Sequence, residues 1–242
     1  MSHITNDEVD VAVVGLGWAG SLMSIELAQA GLKVRAFERG EDRTNADFAY
    51  PKPADQYAYG VRNKIMVAPK DGALTVRHNM NSTALPTRQW GAFVPGTGVG
   101  GSGLHWTGVL IRPTPTDIKL KTYADQAYAP GILQSDMTIG DFPFTWDEIE
   151  PYLDKFDKIC GLSGNTGNLN GQILVGGDPY EGPRSNPFPL PALEDTLNNK
   201  LFADAARKLG YHPFPNPSAN VSRAWKNPYG NQIAPCNYCG YC

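Results

Sequence analysis

The sequence predicts an α/β fold that opens on a strand, a tight turn and a helix, and three observations carry that prediction. Residues 9–15 are apolar and β-branched and end in glycine. Gly15-Leu16-Gly17-Trp18-Ala19-Gly20 follows at once. Lys33-Val34-Arg35-Ala36-Phe37 reads as a second strand and ends in the carboxylate of Glu38, 18 residues beyond Gly20. A glycine-rich turn between strand and helix, with an acidic residue closing the next strand, is the order that a dinucleotide-binding unit needs.

The first run lacks the alternation of a half-exposed strand and is expected to be a buried strand of a parallel sheet. Leu22, Ile25, Leu27 and Ala28 then recur at helical spacing until Gly31 ends the helix. Each glycine has a mechanical use. Gly15 makes the tight turn, Gly17 lets backbone approach a pyrophosphate at the helix N-terminus, and Gly20 lets helix and strand pack closely. Glu38 is placed to accept from ribose hydroxyls, and its charge disfavours the 2′-phosphate of NADP. The motif alone does not separate FAD from NAD. The competing reading is that the glycines serve packing only and Glu38 is a solvated strand end.

Composition excludes several classes. With 242 residues, 41% of them hydrophobic, the chain is long enough to bury one sizeable core, or one core and part of a second. Its 26 glycines and 20 prolines, roughly one residue in five, call for long ordered loops without reaching a low-complexity composition. Lys and Arg number 21 against 24 Asp and Glu, a net charge of −3, and no basic run occurs, so nucleic acid is not an expected partner. The longest apolar stretch, 11–25, contains three glycines and falls short of the roughly 20 residues that span a bilayer. No basic region precedes it and no small-residue cleavage site follows, so no Sec or twin-arginine signal is read there.

Further along, residues 91–112 (GAFVPGTGVGGSGLHWTGVLIR) hold too many glycines for a regular element and too many apolar residues for a solvated linker. A buried loop is expected, in which Gly96, Gly98, Gly100, Gly101 and Gly103 let backbone lie flat against a planar ligand or phosphates. The stretch 147–159 places Ile149, Tyr152, Leu153, Phe156 and Ile159 at spacings of three and four, an amphipathic helix whose aromatic stripe is core, with Asp141 and Thr145 as candidate caps. Cys160 reads as a small buried residue. Residues 161–196 read as a long connection, 198–209 as a second helix ended by Gly210, and 40–80 as loop with packing from Tyr50, Tyr57 and Tyr59. His3, His78 and His212 have no partner at metal spacing and read as structural.

Cys236, Cys239 and Cys242 form a Cys-x₂-Cys-x₂-Cys run in which Gly240 supplies a tight turn. This spacing lets one loop present three thiolates to an iron–sulfur cluster. Zinc and disulfides remain alternatives, and a four-cysteine zinc site would need Cys160 to fold over to the run. The sequence stops at the third cysteine, and the expectation is a piece of a longer chain.

The order of the two glycine motifs resembles that in the glucose-methanol-choline (GMC) family of flavoproteins. Thr97 stands where a basic or polar residue is usual, and one residue fewer precedes His105. Val99-Gly100-Gly101-Ser102-Gly103-Leu104-His105-Trp106 is more similar to the branch holding pyranose oxidase and the large, flavoprotein subunits of membrane-bound gluconate and fructose dehydrogenases. Leu85-Pro86-Thr87-Arg88, the stretch 142–152 and the cysteine run share that resemblance. It implies a Rossmann-like FAD-binding fold, incomplete at the C-terminus, with an FAD-binding part at 1–117, its flavin loop at 91–112, and connecting helices and the start of a second region at 118–242.

The resemblance further implies FAD contacts from Gly15, Gly17, Gly20, Glu38, Gly100, Gly101, His105, Trp106 and Thr107. His105 is either bonded through its ring to the flavin 8α-methyl, where a neutral imidazole meets an electrophilic carbon, or a contact only. Cys236, Cys239 and Cys242 would hold the iron–sulfur cluster. Oxidation of a secondary alcohol of a sugar acid or polyol is implied, gluconate to 2-ketogluconate first, with electrons leaving through the cluster to a cytochrome c subunit and quinone. A small subunit carrying the export signal would bring the complex to the periplasmic face of the inner membrane, with membrane attachment through partners only. The catalytic base is expected downstream of Cys242, so that the 242 residues alone are silent. An NAD-dependent oxidoreductase with structural zinc and a non-catalytic electron-transfer module are the two alternatives.

Overall fold

The computed structural model describes residues 7–48, 75–77, 79–86 and 95–238. The chain divides into two compact units, 1–106 and 107–242.

The first unit is built on β1 (Val11–Val14), α1 (Trp18–Gln29) and β2 (Val34–Phe37). β1 and β2 pair in parallel, Val11 with Val34 through Val14 with Phe37. The β-branched residues suit the pleat, and the right-handed crossover expected of parallel neighbours brings α1 back over the sheet. The N–H groups of Gly31 and Leu32 close the helix on the carbonyls of Ala28 and Leu27, with Gly31 at φ +89°. The expected burial of β1 on both faces is not found. Its residues alternate between half-buried and exposed, and Val14 is 87% exposed. Among the described residues the sheet has two strands and one covering helix, so its second face has no layer over it. The described residues of this unit also hold a short antiparallel pair, β3 (Thr75–Val76) with β4 (Leu85–Pro86), and 3₁₀ turns at Asn45–Phe48 and Gly101–His105.

In the second unit, α2 (Pro115–Ile118) starts from Thr114, whose hydroxyl and the Asp117 carboxylate form a reciprocal capping box with Pro115 at the first helical position. α3 (Leu120–Ala127) follows. α4 (Trp146–Cys160) has the same box between Thr145 and Glu148 and ends at Gly161 in the left-handed conformation. Thr145 is therefore the cap, whereas Asp141 accepts from Thr122. α5 (Leu197–Lys208) is capped by Thr196. Two hairpins, β5 (Asn168–Leu169) with β6 (Gln172–Ile173) and β7 (Trp225–Lys226) with β8 (Gln232–Ile233), lie in stretches without helical periodicity. Asn170 and Gly171, both at positive φ, make the tight turn between β5 and β6.

The core of this unit departs from expectation in two ways. Residues 161–196, expected as a connection, supply Leu162, Arg184, Phe188 and Leu190 to it. On α4 the most buried positions include Glu150, Asp154 and Asp157 beside Ile159 and Cys160, while Tyr152 is 68% exposed. Asp154 pairs with Lys158 one turn on (2.6 Å), and Glu150 and Asp157 belong to a buried ion network. Arg112 donates through Nη1 to Glu150 (3.0 Å) and through Nε and Nη2 to Asp157 (3.1 and 2.7 Å). Arg184 meets Asp157 through Nη2, lies 3.6 Å from Glu181, and stacks 3.7 Å over the Phe188 ring. Two guanidinium groups thus compensate three carboxylates that would otherwise be too costly to desolvate. Burial pushes the Glu150 carboxyl up, but hydrogen bonds from Ser185 and Arg112 outweigh it and hold its pKa below the ordinary value.

Candidate functional site

The two glycine motifs, more than 80 residues apart in sequence, meet in the first unit. The Gly100 N–H donates to the Leu16 carbonyl (2.7 Å), Gly17 and Gly100 form an isolated parallel bridge, and a Cβ built on Gly101 would stand 3.0 Å from the Gly17 Cα. Only backbone without side chains approaches this closely. A cleft of about 580 Å³ opens between them, lined by Val14, Gly15, Gly17, Phe37, Glu38, Arg39 and the 96–102 loop.

Around this cleft the predicted residues take distinct places. Gly15 sits at φ +93°, and nothing stands within 4 Å of the Cβ positions of Gly15 and Gly17, so backbone there is open to a ligand. Gly17 is also the N-cap residue of α1, and no side chain among the described residues caps this helix end, a place suited to an anion. Gly20 faces the other way: a Cβ there would collide with the Gly15 carbonyl oxygen. Glu38 accepts from Leu16 N–H through Oε2 (2.8 Å) and from Gly40 N–H through Oε1 (2.9 Å). Those backbone donors, Leu16 first, hold its carboxyl below the usual range, so it is ionised at neutral pH. Glu38 lines the cleft, where a carboxylate can accept from a donor such as a ribose hydroxyl.

The loop before the 3₁₀ turn is fixed to the loop after β2. Arg43 donates to the Thr97 carbonyl (2.8 Å), and Val99 N–H to that of Glu41 (3.1 Å). The turn itself begins at Gly100 and Gly101, both at positive φ, and carries His105 at its end. The Nε2 atom of His105 is buried and has no hydrogen-bond partner among the described residues. A buried, unpartnered ring nitrogen is costly to leave so, and a ligand atom is the straightforward way to satisfy it. Trp18, the first residue of α1, packs against Gly103 and meets Trp106 edge to face, centroids 5.6 Å apart.

Thr107 opens the second unit, and its carbonyl accepts from the Asn220 side chain (3.4 Å). Cys236, also in that unit, is half-buried; its N–H donates to the Val221 carbonyl (2.8 Å) and its Sγ accepts from the Tyr238 N–H (3.4 Å). Cys239 and Cys242 lie outside the described residues, as do Tyr50, Tyr57, Tyr59, His3, His78 and 91–94. Among the described residues no group of three or more His, Cys, Asp or Glu is arranged to hold a metal. Cys160 is buried as expected, and burial with the charge of Asp157 pushes its thiol up to about 12. It is an inert thiol. The contacts of Arg43 and Trp18 with the glycine loop were not anticipated from sequence; an aromatic in a free position of the glycine motif was the one available signal.

Over 239 residues, 97% of its length, the chain is 44% identical to the gluconate 2-dehydrogenase flavoprotein of Pantoea cypripedii. It is similar to a dehydrogenase flavoprotein along nearly its whole length. Weaker similarity extends to the fructose dehydrogenase large subunit of Gluconobacter japonicus, 26% over 224 residues, which cover 89% of this chain. A 2-methyl-1,2-propanediol dehydrogenase of Mycolicibacterium austroafricanum is 27% identical over 224 residues, 90% of this chain. No family model matches. The chain spans less than two fifths of these relatives: 39%, 37% and 34% of their lengths. Among the described residues no helix is long and apolar enough to cross a membrane.

Proposed function

We propose that the chain supplies the nucleotide-binding part of an FAD-dependent dehydrogenase of GMC type that oxidises a secondary alcohol of a sugar acid or polyol, gluconate to 2-ketogluconate in the first place. The observation that carries the reading is the cleft where both glycine motifs meet, together with the unpartnered Nε2 of His105 at the end of the turn that follows the second motif, in a chain 44% identical to a gluconate 2-dehydrogenase flavoprotein. The residues fit an FAD. Gly15, Gly17 and the α1 N-terminus take the pyrophosphate, Glu38 takes the ribose hydroxyls, and the Gly100–Gly101 backbone lies against the flavin with Trp106 and Thr107 following. Gly20 keeps helix and strand close enough to hold that geometry. His105 anchors the flavin through its ring. The flavin, when bound, accepts a hydride and releases electrons singly.

Cys236, Cys239 and Cys242 supply thiolates to an iron–sulfur cluster, which passes those electrons to a cytochrome c subunit and quinone. Together with a small subunit that carries the export signal, the enzyme works at the periplasmic face of the inner membrane, attached through its partners.

The test is to express the whole reading frame with its partner genes, precipitate the purified complex with acid, and record the spectrum of pellet and supernatant. Flavin in the pellet, lost in His105→Ala, is the expected result. Flavin only in the supernatant leaves the dehydrogenase reading in place and reduces His105 to a contact. Absence of flavin from both overturns the reading. Non-haem iron with acid-labile sulfide, lost in Cys236→Ser while the haem iron of the cytochrome subunit stays, is expected for the cluster, whereas zinc in its place overturns that assignment.

A further inference from the structure

The turn that carries His105 is poorly secured by its own backbone. It is a 3₁₀ turn of five residues, Gly101–His105, a geometry with weaker hydrogen bonds than an α-helix, and it swings from Gly100 and Gly101, both in conformations that glycine enters freely. A ring nitrogen that must meet one carbon of a bound ligand needs a firmer stop than glycine provides. Trp18 is that stop. A methyl group added at Gly103 would collide with the Trp18 indole nitrogen, so the indole lies directly on the turn; the same indole meets Trp106 edge to face at 5.6 Å and 89°. Gly103 and Trp106 bracket His105, so one side chain holds the backbone on both sides of it. Gly100, which starts the turn, is bonded to Leu16 and bridged to Gly17, the residue just before Trp18.

We infer that Trp18 is the positioning residue for His105, fixing the unpartnered Nε2 where it meets the flavin ring system. This rests on the FAD reading above and adds to it the side chain that makes attachment efficient. Trp18 is also the first residue of α1, whose N-terminus takes the pyrophosphate, so the nucleotide end and the ring end of the cofactor share one rigid element. The turn alone does not demand an aromatic at this place, since the glycine motif leaves it free. In the step served, the His105 ring N–H is replaced by an N–C bond to the flavin 8α carbon. That carbon loses a hydrogen, and the two electrons and two protons left on the ring pass to the quinone that the enzyme reduces.

The test uses the full-length protein co-expressed with its partners, comparing wild type with Trp18→Ala and Trp18→Phe. Two quantities are read for each: total flavin per chain, and the fraction that survives acid precipitation. Trp18→Ala is expected to keep total flavin within about twofold while the acid-stable fraction falls by about tenfold or more, because a displacement of about 1 Å suffices to cost attachment; Trp18→Phe is expected to restore most of it. An unchanged acid-stable fraction in Trp18→Ala overturns the inference. So does a parallel loss of total and acid-stable flavin that Trp18→Phe does not recover, which would make Trp18 a general support of the fold. A wild type whose flavin is all released by acid overturns the inference but leaves the FAD reading standing, whereas a wild type with no flavin overturns the FAD reading itself.

Discussion

Glu38 ties two loops together with one carboxylate, one oxygen holding the Leu16 N–H inside the glycine turn and the other the Gly40 N–H just past β2. Its role therefore begins before any nucleotide arrives, and a pH dependence follows. Its folded pKa lies below the ordinary 4.5, so its contribution to stability is present above that value and is lost as pH falls through the lower, folded pKa. Glu38→Gln keeps the shape and removes the charge, and urea unfolding between pH 3 and 7 should show the variant less stable than wild type at neutral pH, with the difference closing toward pH 3. A difference that persists at low pH would count against a role for the ionised carboxylate. Gly20 is constrained by space alone. Gly20→Ala drives a methyl group into the Gly15 carbonyl and is expected to cost about 1–3 kcal/mol and most of the bound flavin, read by thermal unfolding and flavin absorbance. Both residues were legible in the sequence because their spacing follows from the geometry of a turn. The second use of Glu38, as a tie between loops, was not, since backbone donors leave no mark in residue identity.

At the scale of elements, β1, α1 and β2 stand where the sequence reading puts them, and α5 begins one residue before its expected start. α4 was legible as a helix but not in what it buries. Periodicity of apolar residues marks the aromatic stripe, whereas Glu150, Asp154 and Asp157 at spacings of four and three mark an acidic one that reads from sequence as a solvated face. The arrival of Arg112 and Arg184 from distant positions makes Glu150 and Asp157 interior, while Asp154 is matched locally by Lys158. The same holds for 161–196, whose place in the core depends on pairings such as Ser163 with Ser218 and Gly164 with Leu190 that no local pattern announces. Arg184→Met should expose how much depends on this. It leaves Asp157 with one guanidinium and Glu181 with none, and breaking a buried pair in this way is expected to cost about 3–5 kcal/mol, measured as the shift in urea midpoint. A loss under about 1 kcal/mol would class the network with weak surface pairs.

For the molecule as a whole, the face of the first sheet that no described element covers sets an expectation. Val14 and Phe37 line the cleft and are 87% and 48% exposed, and the curated relatives are more than twice as long as this chain. Apolar surface beside a ligand cleft weakens binding when nothing covers it, because the ligand then exchanges one wet surface for another. The 242 residues alone should therefore hold FAD well below one per chain, while the full-length protein holds about one; stoichiometric, tightly held flavin on the short chain would contradict this. The ion network of the second unit carries a consequence of another kind, for how the sequence can change. Arg112, Glu150, Asp157 and Arg184 come from three separated stretches, and each has partners that it would leave charged and dry if replaced singly. Substitutions at groups in direct contact are non-additive by about 0.5–3 kcal/mol. Any route from this network to an apolar core of the same volume thus crosses single-step intermediates less stable than either end, so the four positions are expected to drift as a block, and a library that varies them one at a time would find every neighbour worse and miss the alternative packing altogether.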